Sequence, residues 1–141
     1  MSFAERNKSS PLVLPPPQPN LNENLGSLDL PVYSHADLLA ARDEDQYEHG
    51  PRILVGLKDY VFDVTPLMGF LIPGGQLSNY AGKDISFALT KASNRREDTT
   101  VKGYGTLSSN ELKMLDEWTS VFLRRFTVVG RLEMDTMTTE Y

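Results

Sequence analysis

Two apolar runs between residues 52 and 64, separated by two polar residues, predict a β-hairpin. The apolar side chains of Ile53, Val55 and Leu57 fall on every second residue, which places them on one face of an extended strand. A second run, residues 60–64, is rich in aromatic and β-branched side chains, and two residues separate it from the first. Two residues is the length of a tight hairpin turn, so the sequence predicts two antiparallel strands.

Two segments carry apolar side chains at helical spacing behind a capping residue. Ser34 is a candidate N-cap for a helix over residues 35–42, with Leu38 and Leu39 facing inward. A glycine-rich loop spans residues 73–82, and Asp84, which follows it, is a candidate cap for a further helix. The residues at helical spacing in that helix are Ile85, Ala88, Leu89 and Ala92.

The clearest helix signal lies in the last third of the chain. Ser108 and Glu111 have the spacing of a capping box, which predicts a helix over residues 109–123. Its apolar stripe consists of Leu112, Leu115, Trp118 and Phe122. Residues 126–132 then alternate as a closing strand. The polar stretch before this helix, residues 93–105, is predicted as a surface excursion.

Residues 1–30 have a different character from the rest of the chain. Five prolines lie between residues 11 and 19, and proline fixes φ and lacks an amide donor, so this segment favours polyproline II. We predict a Pro-rich, disordered arm over 1–30, one domain over 31–133 and a tail over 134–141. The arm is interpreted as an unstructured leader, as a ligand for a partner, or as a strap over the domain's own cleft.

Composition narrows the classes of function. The 141 residues are 40% apolar, enough for one core, and cysteine is absent, which excludes disulfides and thiolate chemistry. A net charge of −5 without a cluster of basic residues argues against nucleic acid as a partner. No apolar run reaches the ~20 residues of a membrane helix. We therefore expect no transmembrane segment and a cytoplasmic protein, at most peripheral to the endoplasmic reticulum membrane.

No arrangement of residues predicts catalysis. The sequence has no metal-ligand spacing, no nucleophile turn and no phosphate loop. His35 and His49 both precede the hairpin and are interpreted as surface or turn histidines. Asp63, beside Thr65, is interpreted as a turn residue that bonds backbone amides. The sequence predicts that the protein is not an enzyme.

Several short motifs, taken in order, resemble those of a known fold. They are Arg52-Ile53-Leu54-Val55-Gly56, Val61-Phe62-Asp63-Val64-Thr65, Ala81-Gly82-Lys83-Asp84, Trp118 with Phe122, and Val129-Gly130-Arg131-Leu132. Over residues 32–132 the chain resembles the cytochrome b5-like haem/steroid-binding domain, and more closely the membrane-associated progesterone receptor (MAPR) family. The resemblance implies an α+β fold, with a small mixed β-sheet flanked by short helices around a haem or ligand cleft.

The resemblance also implies which positions line the cleft. Cytochrome b5 has a histidine ligand where this chain has Ile72, and the progesterone-receptor relatives have tyrosines at the positions of Leu77, Leu71 and Phe126. Arg125 stands where those relatives carry a lysine, and Tyr80 takes an aromatic position of the loop. An axial ligand for haem iron is an imidazole, thiolate, thioether or phenolate, so the expected ligands are absent from the expected positions.

Two hypotheses follow. The first is a non-enzymatic binding or adaptor protein with a degenerate haem site, which takes a sterol-like ligand in its apolar cleft or a protein partner on its surface, and for which no cofactor is expected. The alternative is a genuine haem b protein of the MAPR family that supports haem-dependent, P450-type sterol metabolism, with Tyr80 as the candidate ligand. A Soret band would distinguish the two.

Overall fold

A four-stranded mixed sheet forms the framework of the domain. The computed structural model describes residues 14–27, 29–40, 53–71 and 75–133. His49, Ile72, the last two residues of the predicted helix over 35–42 and the predicted tail lie outside the described residues. The strands are β1 Val32–Tyr33, β2 Leu54–Leu57, β3 Tyr60–Asp63 and β4 Thr127–Leu132. Their order is β1-β4-β3-β2, with β1 parallel to β4 and the other neighbours antiparallel.

Five helices flank the sheet within the described ranges. They are α1 His35–Ala40, α2 Met68–Leu71, α3 Ser86–Thr90, α4 Arg96–Thr99 and α5 Ser109–Arg125. Single 3₁₀ turns occur at Leu25–Ser27, Thr65–Leu67 and Ser78–Tyr80. A mixed sheet with short helices confirms the predicted α+β class.

The hairpin has the predicted turn, and its strands separate two apolar clusters. Leu57 pairs with Tyr60 across two turn residues, and Lys58 takes the left-handed φ of 59°. Because successive side chains point to opposite faces, Val55 and Phe62 enter the main core. The smaller cluster, on alternate positions of the strands, joins Leu54, Val61 and Leu132 to Leu38 of α1.

Helix α5 begins with the predicted capping box, but its apolar stripe is shorter than expected. The Ser108 hydroxyl accepts from the Glu111 amide, and the Glu111 carboxylate accepts from the Ser108 amide. Leu112 was predicted to face inward but is 38% exposed. The first turn meets Lys91, whose ammonium lies 2.6 Å from the Glu111 carboxylate. Deep burial on the stripe therefore starts one turn later, at Leu115.

The two shorter predicted helices also differ from expectation in one residue each. Leu39 is 44% exposed, because successive residues are about 100° apart around a helix and Leu38 already takes the buried direction. Helix α3 ends at Thr90, so Ala92 does not lie on its inner face. Ala92 adopts φ 55°, and the bonds from Ala92 N to Leu89 O and from Ser93 N to Ala88 O form a Schellman motif.

Strand β1 was not among the predicted elements, and a glycine permits its close approach to β4. A Cβ on Gly130 would lie 2.5 Å from the Tyr33 ring and 2.9 Å from the Pro31 carbonyl oxygen. The Arg131 amide donates to Pro31 O at 2.9 Å, and the Glu133 amide donates to Tyr33 O at 2.8 Å. Position 130 of β4 therefore requires glycine, because a Cβ at this position would collide with β1.

Part of the predicted arm contacts the domain. The Gln18 amide donates to Arg124 O at 2.9 Å. The Asn22 side chain forms three bonds to the main chain where α5 passes into β4: its Nδ2 donates to the carbonyl oxygens of Leu123 and Phe126, each at 2.9 Å, and its Oδ1 accepts from the Val128 amide at 3.0 Å. Residues 18–22 are thus fixed to the end of α5.

The imidazole of His35 lies between two carboxylates rather than on an open surface. Nε2 is 3.7 Å from Oδ2 of Asp84, and Nδ1 is 3.7 Å from Oε2 of Glu133. Attraction to Asp84 is the main cause that raises the pKa of His35 above its ordinary value of 6.5, while burial and Lys102 act in the opposite direction. The protonated ring links α1 to the start of α3 and the end of β4.

We expect this link to make stability depend on pH. A pKa that is raised in the folded state means that the stabilisation is fully present below pH 6.5 and is lost as the pH rises through the folded-state pKa. His35→Gln should therefore reduce the difference in the free energy of unfolding between about pH 5.5 and about pH 8.5. Urea unfolding of both proteins at the two pH values measures this. An unchanged pH dependence in His35→Gln would contradict it.

Candidate functional site

An apolar cavity of about 290 Å³ lies between the sheet, the glycine-rich loop and α5. Its walls are aliphatic and aromatic side chains from each of these elements. The lining residues are Leu14, Val55, Val64, Leu67, Leu71, Leu77, Tyr80, Ile85, Leu89, Trp118 and Phe122. We call this cavity the cleft.

Local hydrogen bonds hold the glycine-rich loop against the sheet. The Gly82 amide donates to Leu54 O at 2.9 Å, and the Gly56 amide donates to Lys83 O at 2.8 Å. The Ile85 amide returns to Gly56 O at 2.8 Å. This loop therefore covers the free edge of β2 and brings its own apolar side chains over the cleft.

The opposite wall follows from a turn at the end of β3. Asp63 Oδ1 accepts from the Thr65 amide at 2.9 Å, as predicted, and the Thr65 hydroxyl accepts from the Ile53 amide at 3.0 Å. The chain then enters the 3₁₀ turn and α2, which contribute Leu67 and Leu71. The turn thus directs two leucines into the cleft.

Three of the six predicted cleft positions meet in this cavity. Leu71, Leu77 and Tyr80 all line it. Phe126 is buried elsewhere in the core, with its ring centroid 5.0 Å from that of Phe122, and the Arg125 guanidinium donates to Val121 O at 3.5 Å. Neither residue is among those that line the cleft. Ile72 lies outside the described residues.

The described lining does not fit a haem. Tyr80 is the one phenol in it, and its hydroxyl donates to the Ser93 carbonyl oxygen at 2.6 Å. Burial, together with the nearby Asp98 carboxylate, raises the pKa of Tyr80 to about 12. Iron ligation would require the phenolate, which this environment disfavours, and the remaining described side chains of the lining offer no axial ligand.

Sequence reasoning did not assign Leu14 to the cleft wall. The residue stands in an apolar trio flanked by prolines, and the sequence left open whether this arm is an unstructured leader, docks on a partner or lies over the domain's own cleft. Leu67 and Trp118 were also not assigned to the wall, although Trp118 was placed on the inner stripe of α5. Proximity of the arm to the cleft has no signature in the local pattern.

A second cavity, of about 390 Å³, is less suited to an apolar ligand. Its lining includes His35, Lys83, Asp84 and Lys102, so charged groups stand beside its aliphatic walls. Among the described residues, no three His, Asp or Glu side chains are placed to hold a metal ion. Within the same ranges, no helix has the length and apolar character to cross a bilayer.

Comparison with known proteins agrees with this fold. The chain is 41% identical over 80 residues to "Probable steroid-binding protein 3" of Arabidopsis thaliana, covering 57% of this chain and 79% of that protein. It is 33% identical over 94 residues to membrane-associated progesterone receptor component 2 of Homo sapiens, covering 62% and 41% of the two chains. An Arabidopsis thaliana structure described as having a cytochrome b5 like fold superposes with a TM-score of 0.61 at 32% identity, over 74% of this chain and 93% of that one. No protein-family model matches the chain.

Fold and cleft together define a cytochrome b5-like domain with an apolar pocket. The chain belongs to the membrane-associated progesterone receptor family. It spans 37% of the length of Membrane steroid-binding protein 1 of Arabidopsis thaliana, to which it is 36% identical over 84 residues.

Proposed function

We propose that this protein binds an apolar, sterol-class ligand in the cleft and performs no chemistry on it. The observation that carries the proposal is the lining of the cavity, which is aliphatic and aromatic throughout. Binding sites for small molecules are mostly apolar, with few polar groups that fix orientation. Here the Tyr80 hydroxyl is already engaged by Ser93, so the cleft selects for shape and apolar surface.

The names of the relatives support the class of ligand. Relatives from Arabidopsis thaliana are named as steroid-binding proteins. A rigid, flat and largely apolar molecule suits a slot between a sheet and helices. The volume of about 290 Å³ lies just below the ~300–1,000 Å³ that is typical of small-molecule sites, which favours one ligand, partly enclosed.

Trp118 provides a direct test, because it lines the cleft and is the single tryptophan of the chain. Titration of the full chain with dehydroergosterol should give saturable energy transfer from Trp118. Leu77→Asp introduces a carboxylate into the apolar wall and should weaken binding at least tenfold, about 1.4 kcal/mol. Leu112→Asp makes the same change at an exposed position and should bind as the parent does.

A titration of the same protein with haem tests the alternative, a haem protein. Haem added to the full chain should give weak, non-stoichiometric binding without a sharp Soret maximum, since the described lining lacks a ligand. A one-to-one complex with a sharp Soret band, abolished by Tyr80→Phe, would overturn the proposal in favour of a haem protein. Equal dehydroergosterol binding by Leu77→Asp and Leu112→Asp would overturn the choice of site.

A protein partner and a cytoplasmic location stay predictions. Several relatives are named as membrane steroid-binding proteins, and this supports attachment to a membrane surface. We propose that the protein associates with the surface of a membrane, either by binding a sterol that lies in that membrane or by binding a protein partner that is attached to it.

A further inference from the structure

The N-terminal segment supplies part of the cleft wall. Leu14 is half-buried, lines the cavity and packs against the main core. Residues 15–18 continue from it without regular structure to the first point of attachment at Arg124. We call residues 14–18 the strap. The other lining residues belong to the domain from β2 onward, so Leu14 is the member that comes from outside it.

Two anchors fix the strap at its C-terminal end. The Gln18 amide donates to Arg124 O at the last turn of α5. Asn22, four residues further along the chain, forms its three bonds to the main chain there. None of the residues joined by these two anchors is among those that line the cleft. Leu14 can therefore leave the cavity while residues 18–22 stay attached.

Proline sets the distance between the anchor and the apolar end of the strap. Residues 15–17 are three consecutive prolines, which favour polyproline II with a rise of about 3.1 Å per residue. Four such steps place Leu14 about 12 Å from Gln18. A chain with fixed φ loses little conformational entropy on docking, so one half-buried leucine suffices to hold it in the closed position.

We propose that the strap is a built-in competitor of the ligand. This role of the strap rests on the proposed function, because the strap and the ligand compete for the same cleft. With Leu14 in place the volume of the cavity lies just below the range for small-molecule sites, and a sterol-class molecule needs the space that this side chain takes. Ligand binding and strap docking are then mutually exclusive, and the fraction of open protein sets the apparent affinity.

The position of the strap can be measured without any sterol. The chain has no cysteine, so Leu14→Cys offers a single site for a bimane label, which tryptophan quenches on near contact. The labelled variant should be quenched by Trp118, and Trp118→Phe should restore its fluorescence. Equal fluorescence with and without Trp118 would mean that the strap does not lie on the cleft, and it would overturn the proposal whatever the ligand is.

Competition is measured on the same protein with dehydroergosterol and on unlabelled variants with Nile red. Dehydroergosterol should raise the bimane fluorescence as it binds; binding that leaves the label quenched would overturn the proposal. Leu14→Ser should increase affinity for both probes about tenfold, as expected when a strap that is closed about 90% of the time is released. Leu112→Ser makes the same change at an exposed position outside the strap and the cleft, and it should leave both affinities unchanged.

The failure of the strap and the failure of the sterol proposal give different results. If Leu14→Ser strengthens Nile red binding while dehydroergosterol binds to neither protein, the strap stands and the ligand class is wrong. If dehydroergosterol binds equally well to the parent, Leu14→Ser and Leu112→Ser, the ligand class stands and the strap does not compete.

Discussion

Replacing Phe122 by alanine is expected to lower the free energy of unfolding by about 3–5 kcal/mol. Phe122 is 5% exposed and stands at the centre of an aromatic cluster. Its ring centroid lies 5.4 Å from that of Phe62, 5.0 Å from that of Phe126 and 6.4 Å from that of Trp118. Truncation removes these contacts together and leaves a void beside the cleft, because the cluster joins α5 to the sheet.

Phe122→Leu is the matched control, since it keeps most of the side-chain volume and should cost less than about 1.5 kcal/mol. Chemical unfolding of the three proteins, followed by circular dichroism, measures the difference. Phe122→Ala should also alter the ligand that the cleft prefers, because the residue lines it. A loss below about 1 kcal/mol would mean that the helix relaxes into the void, and that the cluster does not hold α5 in place.

Asn22→Ala should cost about 3 kcal/mol, although the residue lies in the segment predicted as an arm. Its side chain satisfies the carbonyl oxygens of Leu123 and Phe126 and the amide of Val128. Removing the amide group leaves all three main-chain groups without that partner where α5 passes into β4. Asn22 also has φ 63°, a conformation that alanine adopts at a cost of about 1–2 kcal/mol.

Two further variants separate these causes. Asn22→Gly accepts the positive φ and should be about 1 kcal/mol less harmful than alanine, since only the hydrogen bonds are lost. Asn22→Asp keeps an acceptor for the Val128 amide but loses both donated bonds, so it should be destabilised as well. Thermal unfolding measures all three. Parent-like stability of Asn22→Ala would show that residues 18–22 do not fasten the end of α5.

Local signals in the sequence were enough for most of the fold. The capping box at Ser108 and Glu111, and the two-residue turn at Lys58, involve neighbours within a few positions, and both form as predicted. The period of two along Ile53, Val55 and Leu57 likewise predicted that these side chains share one face, and all three lie in the main core. Such features depend on spacing along the chain, which the sequence states directly.

The features that the sequence did not predict depend on residues that are far away along the chain. Strand β1 pairs Val32 with Arg131, and no pattern within two residues of Val32 indicates a parallel neighbour so far along the chain. Leu39 and Leu112 were predicted to face inward and are 44% and 38% exposed, since Leu38 already takes the buried direction of α1 and deep burial on α5 starts at Leu115. The burial of a helical residue depends on which side chains of other elements pack against it. The spacing of apolar residues along the chain gives no information about those side chains.

The residues of the cleft also differ in how far the sequence could predict them. The resemblance to a known family brought Leu71, Leu77 and Tyr80 together, and all three line the cleft. Arg125 and Phe126, the two other described positions that the resemblance implied, are not among the residues that line this cavity: the Arg125 guanidinium donates to Val121 O, and the Phe126 ring packs on Phe122. Leu14 could not be assigned, since its contact with the cleft depends on anchors that lie four to eight residues further along the arm.

The strand order has a consequence for synthesis on the ribosome. Of the four described strands β4 is made last, yet it lies inside the sheet, between β1 and β3. Until it emerges, the nascent chain holds the β2-β3 hairpin with the edge of β3 open, and β1 has no neighbour. An open strand edge is a template for pairing with strands of other chains, so we expect the growing polypeptide to be most prone to aggregation before β4 has left the exit tunnel.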